Sequence, residues 1–235
     1  MFTDMHHHLV YGVDDGARTL EGMQRLIRDA QANQITRLIT TPHVTPGQVP
    51  FDFDAYQAHL EEARAYCAQE GFALELYTGA ELLYTPDTPR LLREGRAPTL
   101  ANSRFALIEF SPDDPYAHLL EAAQRVAGAG FVPVFAHVER YACLHKISQL
   151  QSLRQQYNVR IQVNARTVLH KHGFFRQRWI DRLFREGAVD YIASDAHDLP
   201  ERHCRMLQCY EKLVDCLGED TARRLTGGNQ QEIFE

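Results

Sequence analysis

The sequence predicts a single α/β domain, a closed and distorted (β/α)7 barrel of TIM-like type, and three observations carry that expectation. Short apolar runs alternate with amphipathic segments along the whole length, which is the pattern of repeated βα units around a parallel sheet. About seven such units can be counted, one fewer than the eight-fold barrel requires. The 235 residues show no shift in composition; that is enough for one α/β domain with a proper core, so residues 1–235 read as one unit.

The strands are expected at Phe2–Leu9, Arg37–Thr41, Ala73–Leu82, Phe105–Phe110, Val132–Val138, Arg160–Asn164 and Tyr191–Ser194, where the apolar runs fall. Helical patterns lie between them. Thr19–Ala32 opens on a threonine cap and Pro115–Ala127 on a proline in the first turn, both good helix starts. Tyr56–Glu70, Gln177–Glu186 and Glu201–Leu217 are amphipathic in the same way. Trp179 and the pair Phe174-Phe175 read as packing residues.

Composition removes several function classes. A formal net charge of -6 disfavours a nucleic-acid backbone binder, which needs clustered Lys and Arg. No stretch approaches the ~20 apolar residues of a membrane span, and the start lacks a secretory pattern, so the cytoplasm is expected and no membrane insertion. The five cysteines, Cys67, Cys143, Cys204, Cys209 and Cys216, include no Cys-x-x-Cys pair. They read as reduced thiols, mostly buried, and neither a disulfide framework nor a thiolate zinc site. A thiol-dependent phosphatase would need an arginine after five intervening residues; after Cys204 that place is held by Tyr210, and Cys204 reads as a helix-packing residue.

In parallel α/β folds functional groups sit where strands end and loops begin. The first strand ends in Asp4-Met5-His6-His7-His8, and a period of two puts His6 and His8 on one face with His7 on the other. Gly12-Val13-Asp14-Asp15-Gly16 follows, a glycine-bounded turn able to bring Asp15 back over the strand end. The other strand ends present His43 behind Pro42, then Glu81, Glu109, His137, and Asp195 with His197. Nine such side chains, imidazoles and carboxylates without thiolates, suit zinc, manganese or iron. They exceed one ion's needs and match two or three ions sharing carboxylates. Arg140 and Arg202 follow His137 and His197 closely and are placed to fork onto phosphate oxygens. His59, His118, His145, His170 and His172 lie in helices or in loops away from strand ends and are assigned no role.

The segment Asp4-Met5-His6-His7-His8 followed by Gly12-Val13-Asp14-Asp15-Gly16-Ala17, with the later strand-end ligands in order, resembles the PHP (polymerase and histidinol phosphatase) superfamily over essentially the whole chain. Within it the closest resemblance is to bacterial metal-dependent protein-tyrosine phosphatases of capsule and exopolysaccharide operons. The resemblance implies a distorted (β/α)7 barrel of the PHP type with three divalent ions, manganese above iron or zinc. It implies hydrolysis of phosphotyrosine on a partner, a bacterial tyrosine kinase, by in-line attack of a hydroxide bridging the metals. It also implies a ligand distribution. His6, His8, Glu81 and Asp195 would hold one ion, Glu81, Glu109 and His137 a second, Asp15, His43 and His197 a third, and Arg140 and Arg202 the phosphate. Histidinol phosphate or another small phosphomonoester is the alternative substrate, and a non-catalytic metal-binding scaffold the alternative from another class.

Overall fold

The computed structural model describes residues 2–198, 200 and 202–235. In chain order the elements are β1 (Phe2–His7), α1 (Leu20–Ala32), β2 (Ile35–Thr40), β3 (His43–Val44), α2 (Phe53–Glu70), β4 (Glu75–Thr78), β5 (Glu81–Leu83), α3 (Thr88–Arg93) and β6 (Phe105–Glu109). They continue as α4 (Tyr116–Gly128), β7 (Val132–Phe135), α5 (Ile147–Tyr157), β8 (Arg160–Asn164), α6 (Ala165–Leu169), α7 (Phe174–Arg185), β9 (Tyr191–Ala193), α8 (Met206–Leu217) and α9 (Glu219–Arg223). A π turn, Arg224–Gly228, and a 3-10 turn, Asn229–Ile233, follow.

The strand pairs are parallel. They form a sheet β1-β2-β4 and a second, β3-β5-β6-β7-β8-β9. Because β3 continues the line of β2 and β5 that of β4, the nine strands make seven staves. The ring closes where His6 O accepts from Asp195 N (2.9 Å) and Ala196 O from His8 N (3.0 Å). The expected seven-fold barrel is what forms.

The third expected strand, Ala73–Leu82, is a correction: it is interrupted at Gly79-Ala80 and its halves join different sheets. A side chain from α2 fills the break. The Tyr56 hydroxyl reaches the carbonyl oxygens of Thr40 (3.2 Å) and Gly79 (3.1 Å) and accepts the Gly79 N–H (3.1 Å), satisfying backbone groups the ladder leaves open. A Cβ on Gly79 would sit 2.8 Å from Ile39 Cγ2, so the close approach requires glycine. Other bounds also shift. The first strand stops at His7 and not Leu9, α7 starts three residues before Gln177, and the last long helix starts at Met206; Glu201, its expected start, lies outside the described residues. Phe174 and Phe175 are 74% and 85% exposed, so they are not packing residues.

Two apolar clusters alternate along the strands. Leu38, Leu76, Ala106, Ile108, Phe135, Ile161, Val163 and Ile192 belong to the larger one, which packs against the helices. Met5, Ile39, Phe105, Leu107, Val134, Tyr191 and Ala193 belong to the second, on the opposite strand faces, filling the lumen. Fully burying each large side chain contributes roughly 1.5–3 kcal/mol. The same period extends beyond the apolar residues: Glu109 follows Phe105 and Leu107, Asp195 follows Tyr191 and Ala193, and Gln162 and Asn164 alternate with Ile161 and Val163. The lumen rows therefore end in polar groups at the C-terminal mouth.

Candidate metal centre

The first strand delivers its imidazoles as its period requires. His6 Nε2 and His8 Nε2 are 3.2 Å apart, while His7 points away, buried, with neither ring nitrogen hydrogen-bonded. Burial, then the neighbouring His8, holds His7 down at about 3, so it stays neutral. The turn that follows is pressed onto the strand: a Cβ at Gly16 would lie 2.3 Å from His8 O, so only glycine fits. The turn returns two carboxylates. Asp14 Oδ2 lies 2.7 Å from His8 Nδ1 and accepts from His43 N at 3.1 Å. Asp15, 58% exposed, places Oδ1 3.4 Å from both His43 Nε2 and His197 Nε2.

Glu81 is the buried hub. Its Oε2 lies 3.2, 3.4 and 3.0 Å from His6 Nε2, His8 Nε2 and His43 Nδ1, and its Oε1 lies 2.8 Å from His137 Nε2. Glu109 is 3.4 Å from His43 and from His137. Asp195 Oδ1 is 3.6, 3.5 and 3.7 Å from His6, His8 and His197. The nine expected side chains thus lie together at one barrel mouth. Three sets have donor atoms within 4.8 Å of one another: His8, Asp15, His43 and His197; His6, His8 and Glu81; His43, Glu81 and Glu109. His8, His43 and Glu81 are each common to two of them.

Two of the nine adopt backbone conformations that side chains seldom take: φ is 29° at His137 and 52° at Asp195. Each costs of order 1–3 kcal/mol. The turn at His137 is held by its amide, which donates to Gln162 Oε1 at 2.7 Å, and that at Asp195 by its amide on His6 O.

Electrostatics set the centre's resting state. Burial works to raise Glu81 and Asp195, but the surrounding imidazoles outweigh it and hold both carboxylates well below the usual range. Glu109 is brought to about 2 in the same way, against its burial, by His137 and His43. Burial would lower His43 and His137, yet Glu109 and Glu81 raise both to about 10. Those protons occupy ground that cations can take, since metal binding to imidazole releases them. Glu81 Oε2 and His197 Nε2 are buried without any hydrogen-bond partner, and every donor is nitrogen or oxygen. The residues fit divalent ions of the manganese, iron or zinc type.

Both expected arginines are here. Arg202 donates to Asp195 Oδ1 at 2.9 Å, and Arg140 lies 3.9 Å from Glu109. They line one cavity of about 340 Å³ with Asn164, Ser194 and Asp195. Three supporting groups escaped the sequence reading. Asp14 orients His8, Gln162 contacts the His137 amide and lies 3.3 Å from His6 Nδ1, and Asn164 donates to Asp195 Oδ2 at 2.7 Å. The signal for Gln162 and Asn164 was their alternation with Ile161 and Val163. For Asp14 it is the Asp14-Asp15 doublet, which gives the turn two carboxylates. Cys204, expected to pack in a helix, is buried just ahead of α8, its thiol pushed well up by burial; it is no nucleophile.

Residues 2–235 match the family model described as "Capsular polysaccharide synthesis, CpsB/CapC". The chain is similar to the tyrosine-protein phosphatase CpsB of Streptococcus agalactiae serotype V, at 30% identity covering 99% of this chain and 98% of that one. It is 28% identical to CpsB of Streptococcus pneumoniae, covering 98% and 97%. In fold it resembles a solved structure of the pair YwqE from Bacillus subtilis and CpsB from Streptococcus pneumoniae, described as unique metal-dependent tyrosine phosphatases. That match has a TM-score of 0.81 and 23% identity, covering 94% of this chain and 89% of the other. The histidinol phosphate phosphatase of Lactococcus lactis matches more loosely, with a TM-score of 0.57 and 12% identity, covering 97% of each chain.

Proposed function

The chain belongs to the CpsB/CapC family of capsular polysaccharide synthesis, and from that premise we propose that it is a metal-dependent protein-tyrosine phosphatase. Its nine donors, His6, His8, Asp15, His43, Glu81, Glu109, His137, Asp195 and His197, hold two or three divalent ions, with manganese the expected metal. Bound there, such ions supply a lowered water pKa and polarisation of a phosphoryl oxygen.

The protein's own part is binding and orientation. Arg140 and Arg202 face the cavity beside the donors and grip the phosphate oxygens, where charge builds as the P–O bond breaks. Asp14, Gln162 and Asn164 fix the rings and carboxylate they touch, so that ligand atoms are already aimed. The departing phenolate has a conjugate-acid pKa of about 10, low enough to leave without a dedicated acid. The substrate is phosphotyrosine in a protein of the capsule-synthesis machinery, a tyrosine kinase. Five unpaired cysteines favour a reducing compartment, the cytoplasm. Among the described residues no helix is long and apolar enough to cross a membrane.

The observation that carries this reading is Glu81: a buried carboxylate whose Oε2 faces three imidazoles within 3.4 Å and makes no hydrogen bond. Purified protein is assayed on p-nitrophenyl phosphate and a phosphotyrosine peptide before and after chelation, with histidinol phosphate in parallel. Activity lost on chelation, regained with manganese, and highest on the peptide is the expected result. Unchanged turnover after metal removal would refute the mechanism, and faster hydrolysis of histidinol phosphate would refute the substrate.

A further inference from the structure

The cavity beside the donors holds more positive charge than one phosphate monoester uses. Arg166 and Arg205 line it together with Arg140 and Arg202, in a protein whose formal net charge is -6. Of the carboxylates on its wall, Asp195 is engaged through both oxygens and Glu139 through Oε1, its Oε2 being buried without a partner. Glu139 Oε1 accepts from Asn164 N (3.0 Å) and Thr167 Oγ1 (2.8 Å), while Asp195 accepts from Arg202 and Asn164. Among the described residues neither Arg166 nor Arg205 comes within ion-pairing distance of a carboxylate; the side-chain contact of Arg166 is to His170 Nδ1, 3.4 Å from its Nε.

The fold brings these two arginines together from two elements that pack against each other. Arg166 opens α6 two residues after Asn164, whose side chain touches Asp195. Arg205 stands three residues after Arg202, just before α8, which packs against α6. Both charges reach the same imidazole: His170 is held below its ordinary value by burial first and then by Arg166 and Arg205. Two guanidinium forks without an ion pair among the described residues, next to the place of the scissile phosphate, face whatever flanks the phosphotyrosine.

We propose that Arg166 and Arg205 form a subsite for a second anionic group on the substrate, a carboxylate or a phosphate carried by residues next to the phosphotyrosine. The inference rests on the tyrosine-phosphatase reading and names its substrate class: acidic or multiply phosphorylated segments. Planar guanidinium groups bind both anions through paired hydrogen bonds. With an extended chain advancing about 3.3 Å per residue, the anion sits within a few residues of the target.

The test compares three phosphotyrosine peptides on the manganese-loaded protein, identical except that the flanking positions carry Gln, Glu or a second phosphotyrosine. The expected result is a kcat/KM about five- to tenfold higher for an anionic flank, expressed in KM, consistent with partly exposed charge pairs. In Arg166→Ala/Arg205→Ala that preference falls to near unity, while p-nitrophenyl phosphate, which has no flank, is turned over within about twofold of the parent rate. A preference confined to the second phosphotyrosine assigns the subsite to phosphate, and one that Glu also elicits assigns it to carboxylate as well. Equal hydrolysis of all three peptides by the parent protein, or a preference that survives the double substitution, overturns the subsite alone. No hydrolysis of any peptide overturns the phosphatase reading and the subsite with it. Since the peptide comparison in the parent protein needs no variant, misfolding of the double variant cannot shield the proposal.

Discussion

At the lower end of the barrel lumen Phe105, Leu107 and Tyr191 lie buried in an apolar cluster, whereas at the upper end Glu109 and Asp195, next along the same rows, face imidazoles. The strands are the same and the period is the same; only the residue type changes. Below, the side chains exclude water and their one buried polar group, the Tyr191 hydroxyl, is bonded to Glu232. Above, Glu81 Oε2 and His197 Nε2 lack partners, and His137 and Asp195 hold positive φ. One end of each row stabilises the fold, and the other spends part of that stability on a preorganised site, as expected when function requires unpaired groups in a rigid frame.

Substitutions on two neighbouring strands, β5 and β6, separate the mouth from the apolar filling. The largest effect is expected from Glu81→Gln, which removes a charge from the hub shared by two donor sets. Hydrolysis of p-nitrophenyl phosphate should fall at least about a thousandfold, roughly 4 kcal/mol of barrier, with the far-UV circular dichroism spectrum unchanged. Leu107→Ala, in the fully buried lower part, should do the reverse. It should lower unfolding free energy by roughly 2–5 kcal/mol in urea titrations while kcat in the folded protein stays within about twofold. If Glu81→Gln unfolds the protein, or if Leu107→Ala silences it while folded, the two ends are not separable.

An intermediate effect is expected one contact away from the donors. Asp14→Asn keeps an acceptor oxygen but removes the charge that orients His8 at 2.7 Å. Manganese affinity, measured by titration against activity, should weaken about 10- to 100-fold. Wild-type affinity in this variant would mean that the turn positions His8 through packing alone.

How these residues were legible differs in kind. Glu109 and Asp195 could be read because each follows an apolar run and its type is improbable there without a purpose. Their inward aim follows from the period of two alone. Asp14 could not be separated from Asp15, since the turn that sends one to His8 and the other to His43 is fixed by the close fit of Gly16 against His8, which is a tertiary fact. The break between β4 and β5 was hidden for the same reason: the hydrophobic pattern runs on through Gly79, and the group completing the broken ladder is Tyr56 from a distant helix. Arg166 and Arg205 had no strand-end signal, lying on a short helix and in a loop whose convergence depends on α6 meeting α8.

The smallest effect tests the ion pair at the lower end. Arg160, at the start of β8, donates from Nε and Nη2 to the two Glu232 oxygens at 2.9 Å each, and Tyr191 adds its hydroxyl. Burial works to raise the Glu232 carboxyl, but Arg160 and Tyr191 outweigh it and hold it below its ordinary value. A carboxyl depressed in the folded state adds stability above its ordinary value of 4.5, and that contribution is lost as pH falls through the lower folded value. The pair is a third exposed on the Glu232 side, so water screens it and the contribution is about 1 kcal/mol or less. Glu232→Gln should therefore be slightly less stable than the parent at pH 7 in urea titrations, with the gap closing below about pH 4.5. On the proposed function the carboxylates at the upper end hold divalent ions. There the acid response should follow metal loss, and added manganese should shift it, whereas the Glu232 gap should not move with manganese at all. A metal-sensitive Glu232 gap would mean that the two ends of the lumen are energetically coupled.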